Sequence, residues 1–194
     1  DDIAARSILT ILGDVASRTS GSVLAKESAL AFLYLVNTKI GQADFALLRI
    51  VGFLSNPCAE VRSQALETLQ DVTFWYSGCA VSTLLCGSDL LDRFSVVLWN
   101  GSIAERHLAA NICNQLVFHL DHHHHFLDSA ALLEALADLV TAEPPTVGRE
   151  THRLALDVVL NLASSASLAC FRPFTHKLLP WLVGASNRTT NSDM

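Results

Sequence analysis

The chain has 194 residues, 51% hydrophobic and only 16% charged, a balance that excludes a solvated disordered polymer. A globular chain of this length removes roughly 70% of its unfolded surface from water, enough to build a sizeable core. Thirteen Lys and Arg against 19 Asp and Glu give a formal net charge of −6. With no basic run to neutralise a row of phosphates, nucleic acid is not an expected partner.

The chain opens Asp1-Asp2-Ile3, without methionine or a signal-like region, which suggests a fragment of something longer. AARSILTIL, residues 4 to 12, sets Ala5, Leu9 and Leu12 on one helical face, a weak first unit. ALAFLYLV, 29 to 36, is the longest purely apolar run, and its eight residues fall well short of the roughly 20 a membrane helix needs. No membrane span is expected.

ADFALLRIVGFLSNP, 43 to 57, predicts a helix stopped at Asn56-Pro57, and ALETLQDV, 65 to 72, a helix after that stop. VSTLLCG, 81 to 87, fits a short first helix of a three-helix unit. DLLDRFSVVLWNGS, 89 to 102, predicts a helix ended by Asn100-Gly101, followed by AANICNQL at 109 to 116. HFLDSAALLEALADLVTAEPP, 125 to 145, ends at Pro144-Pro145 and precedes ALDVVLNL at 155 to 162. LACFRPFTHKLLPWLV, 168 to 183, reads as a truncated last helix kinked at Pro173 and Pro180, and residues 185 to 194 as a flexible polar tail.

Four of these segments share one pattern: alanine first, an apolar residue fifth, and Val or Leu eighth. They start at residues 29, 65, 109 and 155, that is 36, 44 and 46 residues apart, near the roughly 40 to 47 of armadillo and HEAT units. No stretch alternates apolar and polar residues as a strand would. The expected fold is all-α, with residues 1 to 184 forming one domain of about four stacked helical repeats. An ordinary helical bundle is the alternative.

At ETHRLALDVVLNLASSAS, 150 to 167, the chain resembles an armadillo-type repeat protein: Ala155-Leu156 followed by Asn161-Leu162-Ala163 is similar to the third helix of such units. The resemblance covers roughly residues 23 to 183. It implies a right-handed superhelical stack whose third helices line a groove, with Asn161 matching an asparagine that holds the backbone of an extended peptide. The matching positions elsewhere carry Leu35, Asp71 and Gln115, so a full asparagine ladder is missing.

If the alanine-led faces pack inward, the opposite faces follow from the same register. They carry Glu27, Ala31, Tyr34 and Thr38, then Ser63, Glu67, Asp71 and Phe74. The third row is His107, Asn111, Gln115 and Phe118, and the fourth Arg153, Asp157, Asn161 and Ser164. Amides and carboxylates can satisfy the backbone groups of an extended segment, and the aromatics offer anchors with little side-chain entropy to lose. The expected partner-binding residues are therefore Tyr34, Glu67, Asp71, Phe74, Asn111, Gln115, Phe118, Asp157 and Asn161. The solvated-face alternative makes the same rows mere surface. Phe74-Trp75-Tyr76 points three aromatics around one helix, so one neighbour cannot bury them all.

HLDHHHHFLD, 119 to 128, gathers five of the eight histidines. Zinc needs three or more converging ligands, and neither a Glu-x-x-His pattern nor a nearby cysteine supplies them. The expected reading is a loop near a helix C-terminus, where positive charge is favourable, with no metal. A metal-dependent hydrolase built on His119 and His122 to His125 is the rival.

Cys58, Cys79, Cys86, Cys113 and Cys170 are odd in number, far apart and without a Cys-x-x-Cys pair. They suggest neither a disulfide framework nor a zinc module, and fit an intracellular compartment, nuclear or cytoplasmic. No nucleophile elbow, phosphate loop or dinucleotide fingerprint is present, so no catalysis and no cofactor is expected. The expected function is a protein-protein interaction scaffold that holds a partner peptide or helix within a larger intracellular assembly. The alternative in the same class is a structural segment of a longer solenoid using its convex face or its ends.

Overall fold

The computed structural model describes residues 2–18, 23–38, 46–75, 82, 84–86, 89–118, 123–142, 147–165, 176, 178 and 180. Its elements among these are all helical: α1 (Asp2–Arg18), α2 (Val23–Thr38), α3 (Leu47–Phe53), α4 (Ala59–Trp75), α5 (Leu90–Asn100), α6 (Ile103–Val117), α7 (His123–Asp128), α8 (Ala130–Thr141) and α9 (Arg149–Ser165). Pro144-Pro145, Pro173 and the tail from 185 lie outside the described residues.

The four alanine-led segments fall in α2, α4, α6 and α9. Their first, fifth and eighth positions are buried in every case: Ala29, Leu33 and Val36; Ala65, Leu69 and Val72; Ala109, Cys113 and Leu116; Ala155, Val159 and Leu162. The fourth position, occupied by Phe32, Thr68, Ile112 and Val158, joins them. Each buried Val, Leu, Ile or Phe contributes about 1.5–3 kcal/mol relative to exposure, so the shared register accounts for much of the core. Thr68, the polar member, keeps its hydroxyl satisfied by donating to the Gln64 carbonyl at 2.8 Å.

Turn chemistry fixes where the helices stop. Asn56 Oδ1 accepts the Cys58 N–H at 2.9 Å, so the Asn56-Pro57 break closes on itself before α4 starts. At Asn100-Gly101, α5 ends with Gly101 N–H on the Val97 carbonyl at 2.8 Å. Ser102 then caps α6 in a reciprocal box: its hydroxyl accepts the Glu105 N–H at 3.2 Å, and the Glu105 carboxylate accepts the Ser102 N–H at 2.7 Å. Gly148, at φ +83, supplies the left-handed residue that leads into α9.

Two expectations change. The described part of the stretch 125 to 145 belongs to two helices, α7 and α8, separated at Ser129. The second half of the histidine cluster is the start of α7, not loop, because His123 and Phe126 both turn inward and are buried.

The helices group into two compact units with the division inside α5: Asp1–Arg93, and a second unit that starts at Phe94. In unit 1, α1 packs on α2, and α4 packs on both α2 and α3. Phe32 meets Phe53 edge to face at 5.6 Å and 78°. In unit 2, α9 packs on α6, α7 and α8.

The alanine-led neighbours run parallel. Lys26 Nζ, in the first turn of α2, lies 2.5 Å from Glu60 Oε2 in the first turn of α4. Thr151 Oγ1, at the start of α9, lies 3.4 Å from His107 Nδ1 near the start of α6. At this same end of unit 2, Trp99 Nε1 donates at 3.1 Å to Asp138 Oδ2, bringing the C-terminal turns of α5 and α8 together beside the starts of α6 and α9.

Candidate functional site

A column of basic residues stands three positions before each leading alanine: Lys26, Arg62, Arg106 and His152. Arg62 Nη1 donates to the Asn56 and Pro57 carbonyls at 2.9 and 3.1 Å. Arg106 donates from Nε to the Gly101 carbonyl and from Nη2 to the Trp99 carbonyl, both at 2.9 Å. His152 Nε2 donates to the Val140 carbonyl at 2.8 Å. The final carbonyls of a helix have no intrahelical partner and carry its negative dipole end, so a cation there satisfies both needs. Arg106 and His152 thereby tie the start of an alanine-led helix to the end of the helix before it, whereas Arg62 ties α4 to the turn that follows α3.

Lys26 departs from the column by binding Glu60, whose carboxylate holds the ammonium above the ordinary lysine range. The sequence reading missed the column, although aligning the segments three residues further upstream displays it.

In unit 1 the open faces of α2 and α4 carry Tyr34, Glu67, Asp71 and Phe74, all exposed, with Glu27 beside them. Glu67 Oε2 accepts the Gln64 amide at 3.1 Å. In unit 2 the corresponding faces of α6 and α9 carry Asn111, Gln115, Asp157 and Asn161, all half-buried, and Phe118, exposed just past α6. Arg153 bridges Asp157 at 2.9 Å and Glu150 at 2.5 Å, and holds the Glu150 carboxyl below the ordinary range. The nine predicted residues thus divide four and five between the units, and none is buried. Tyr76 and the Trp75 side chain lie outside the described residues.

His119 and His122 also lie outside the described residues. His123 is buried with Nε2 against the Val117 carbonyl, satisfying one of the last carbonyls of α6. His124 and His125 stack on each other, centroids 3.9 Å apart. Among the described residues no three His, Cys, Asp or Glu side chains converge on a common point. Burial pushes the Cys113 thiol far up, so it packs as a small apolar group and not as a thiolate.

Hollows among the described residues lie away from these faces. One of about 500 Å³ in unit 1 is walled by Asp14, Leu48, Arg49, Phe53, Asn56 and Pro57, with Arg49 and Asp14 paired at 2.7 Å. Another, about 250 Å³, lies beside Trp99, Arg106 and Asp138 in unit 2. No helix among the described residues is long and apolar enough to cross a membrane. No family model, curated protein or solved structure matches the chain.

Proposed function

We propose that the chain is built of armadillo-like helical repeats of the right-handed superhelical kind. In this reading it acts as a protein-protein interaction scaffold that binds a peptide or helix of a partner through the open faces of its third helices, those of α2 and α4 in one unit and of α6 and α9 in the other. The observation that carries the reading is the shared register: four helices bury the same positions, neighbours run parallel within each unit, and the same opposite face is left accessible each time. Basic side chains that donate to backbone carbonyls of the preceding turn or helix end support a repeat over a bundle, because they recur at one position of the pattern. Exposed Tyr34, Phe74 and Phe118 are of the type that anchors partners.

The test is affinity capture from lysate with the wild-type chain and with a Glu67→Ala, Gln115→Ala, Asn161→Ala variant whose thermal melt is unchanged. Proteins retained by the first and lost by the second support the faces as the site. Equal capture moves the site elsewhere.

A second reading, a segment of a longer solenoid that docks by an end, is favoured by Ile8 and Ile11, which stand 49% and 61% exposed on α1. Terminal repeats otherwise carry a polar outer face. Self-association that rises with concentration and is abolished by Ile8→Lys and Ile11→Lys supports this reading, and a monomer at all concentrations removes it.

A further inference from the structure

The open faces of the two units differ in charge. In unit 2 Arg153 compensates Glu150 and Asp157, and the remaining predicted contacts are amides and one ring. In unit 1 the α2–α4 face carries Glu27, Glu67 and Asp71, all exposed; Glu27 shares the field of Lys26 with Glu60, and neither Glu67 nor Asp71 forms an ion pair with a described residue. The two cations nearest in sequence are engaged elsewhere, Lys26 on Glu60 and Arg62 on the Asn56 and Pro57 carbonyls. Amid these carboxylates two rings stand open, Tyr34 at 68% and Phe74 at 69%.

The spacing makes this one patch. Glu67, Asp71 and Phe74 follow each other at four and three residues, a single stripe spanning roughly 10 Å along α4. Glu27 and Tyr34 are seven residues apart on α2, which runs parallel and packs directly on α4, so the two stripes lie roughly 10 Å apart. Rings beside uncompensated carboxylates suit one side-chain chemistry: a long aliphatic stem ending in a cation. The stem and a guanidinium plane cover the ring face, and the charge reaches the neighbouring carboxylate. An acidic segment would be repelled, and a purely apolar one would leave three carboxylates facing an apolar surface.

We infer that the α2–α4 face of unit 1 binds an arginine- or lysine-bearing segment of a partner protein. Its cationic side chains lie across Tyr34 and Phe74 and pair with Glu27, Glu67 and Asp71. The inference rests on the reading that these faces bind a partner, and it names the partner's chemistry for one of them.

The test titrates the isotopically labelled full chain with three end-capped hexapeptides and follows backbone amide shifts. The probes are Arg-Leu-Lys-Leu-Arg-Leu, its Gln-for-cation counterpart and its Glu-for-cation counterpart. The cationic probe is expected to shift residues 27 to 38 and 63 to 74 well before residues in α6 and α9. Its binding should weaken roughly tenfold between low and high salt, and the neutral and acidic probes should bind at least about tenfold more weakly. Glu67→Gln with Asp71→Asn should reduce the cationic probe's affinity roughly three- to tenfold, and Phe74→Ala should reduce it independently, all without altering the melt.

A neutral probe that binds the same residues as tightly as the cationic one overturns the inference and leaves the face as a binding site. Cationic binding that centres on α6 and α9, or that survives the two carboxylate substitutions, overturns it as well. No shift with any probe overturns both the inference and the reading beneath it.

Discussion

Replacing Arg106 by alanine removes two hydrogen bonds of 2.9 Å, to the Trp99 and Gly101 carbonyls. A hydrogen bond from a charged donor contributes about 1.5–3 kcal/mol, less where water can substitute, and here one bond is part-buried and the other exposed. A cation at a helix C-terminus adds about 0.3–1 kcal/mol. The residue also walls the 250 Å³ hollow with Leu98, Leu139 and Val147, so its stem has packing to lose. Together these give a loss of about 1–3 kcal/mol, or roughly 3–10 °C in Tm for a chain of this size. Arg106→Lys keeps the charge but cannot span both carbonyls with a planar fork, and should recover about half of the loss. Thermal and urea unfolding followed by helical circular dichroism measure both variants. Arg62→Ala and His152→Ala should move in the same direction, and Lys26→Ala should fall short of all three because its partner is an exposed carboxylate. An Arg106→Ala variant within about 0.5 kcal/mol of wild type, or a lysine variant as damaged as the alanine one, refutes the capping role.

Gly148→Ala forces φ +83 on a residue with a Cβ and should cost about 1–2 kcal/mol in the same unfolding assays, whereas an unchanged melt would show that the entry to α9 relaxes freely. In the native chain a thiol reagent should label exposed Cys86 and leave Cys113 untouched until denaturant is added, as read by peptide mapping; native labelling of Cys113 would mean that α6 opens readily. Arg93, donating to Asp89 at 2.7 Å, holds that carboxyl below its usual range. A depressed folded value makes the pair stabilising above the unfolded aspartate value of about 3.9, and that contribution disappears as pH falls through the folded value. The wild-type advantage over Asp89→Asn, below about 1 kcal/mol at this exposure, should therefore hold near neutrality and shrink on acidification below about pH 4; growth of the gap on acidification would refute the assignment.

What could be read from the sequence was what repeats with helical period. Alanine at 29, 65, 109 and 155, with apolar residues four and seven places on, was enough to assign the buried face, because each position lies on one stripe of one helix. The stops at Asn56-Pro57 and Asn100-Gly101 were legible for the same local reason. The helix within the histidine cluster was not, since its cause is tertiary: His123 is drawn in by a carbonyl six residues back, and Phe126 by the core. The capping box at Ser102 and Glu105 had a sequence signature that went unread, and burial of Glu105 shows how much that end of α6 depends on it. The candidate faces could be enumerated by register, but not the compensation of Asp157 by Arg153, which depends on the rotamers the two side chains adopt.

The inward and outward sides of α2, α4, α6 and α9 carry different kinds of information. Inward, the fifth position accepts Leu33, Leu69, Cys113 or Val159 and remains buried, so what the fold requires there is an apolar group of fitting size. Outward, Glu67 and Asp71 in unit 1 stand at the register positions of Asn111 and Gln115 in unit 2, so the chemistry changes from anionic to amide while the starts of the paired helices meet in both units. Tyr34, Phe74 and Phe118 are more than 60% exposed, but so are Ile11 on α1 and Val23 at the start of α2, so it is the change of polar chemistry between the two helix pairs that bears on the proposed binding. Exchanging Glu67 and Asp71 for the Asn and Gln of the other unit should accordingly alter what is bound without altering how the chain folds.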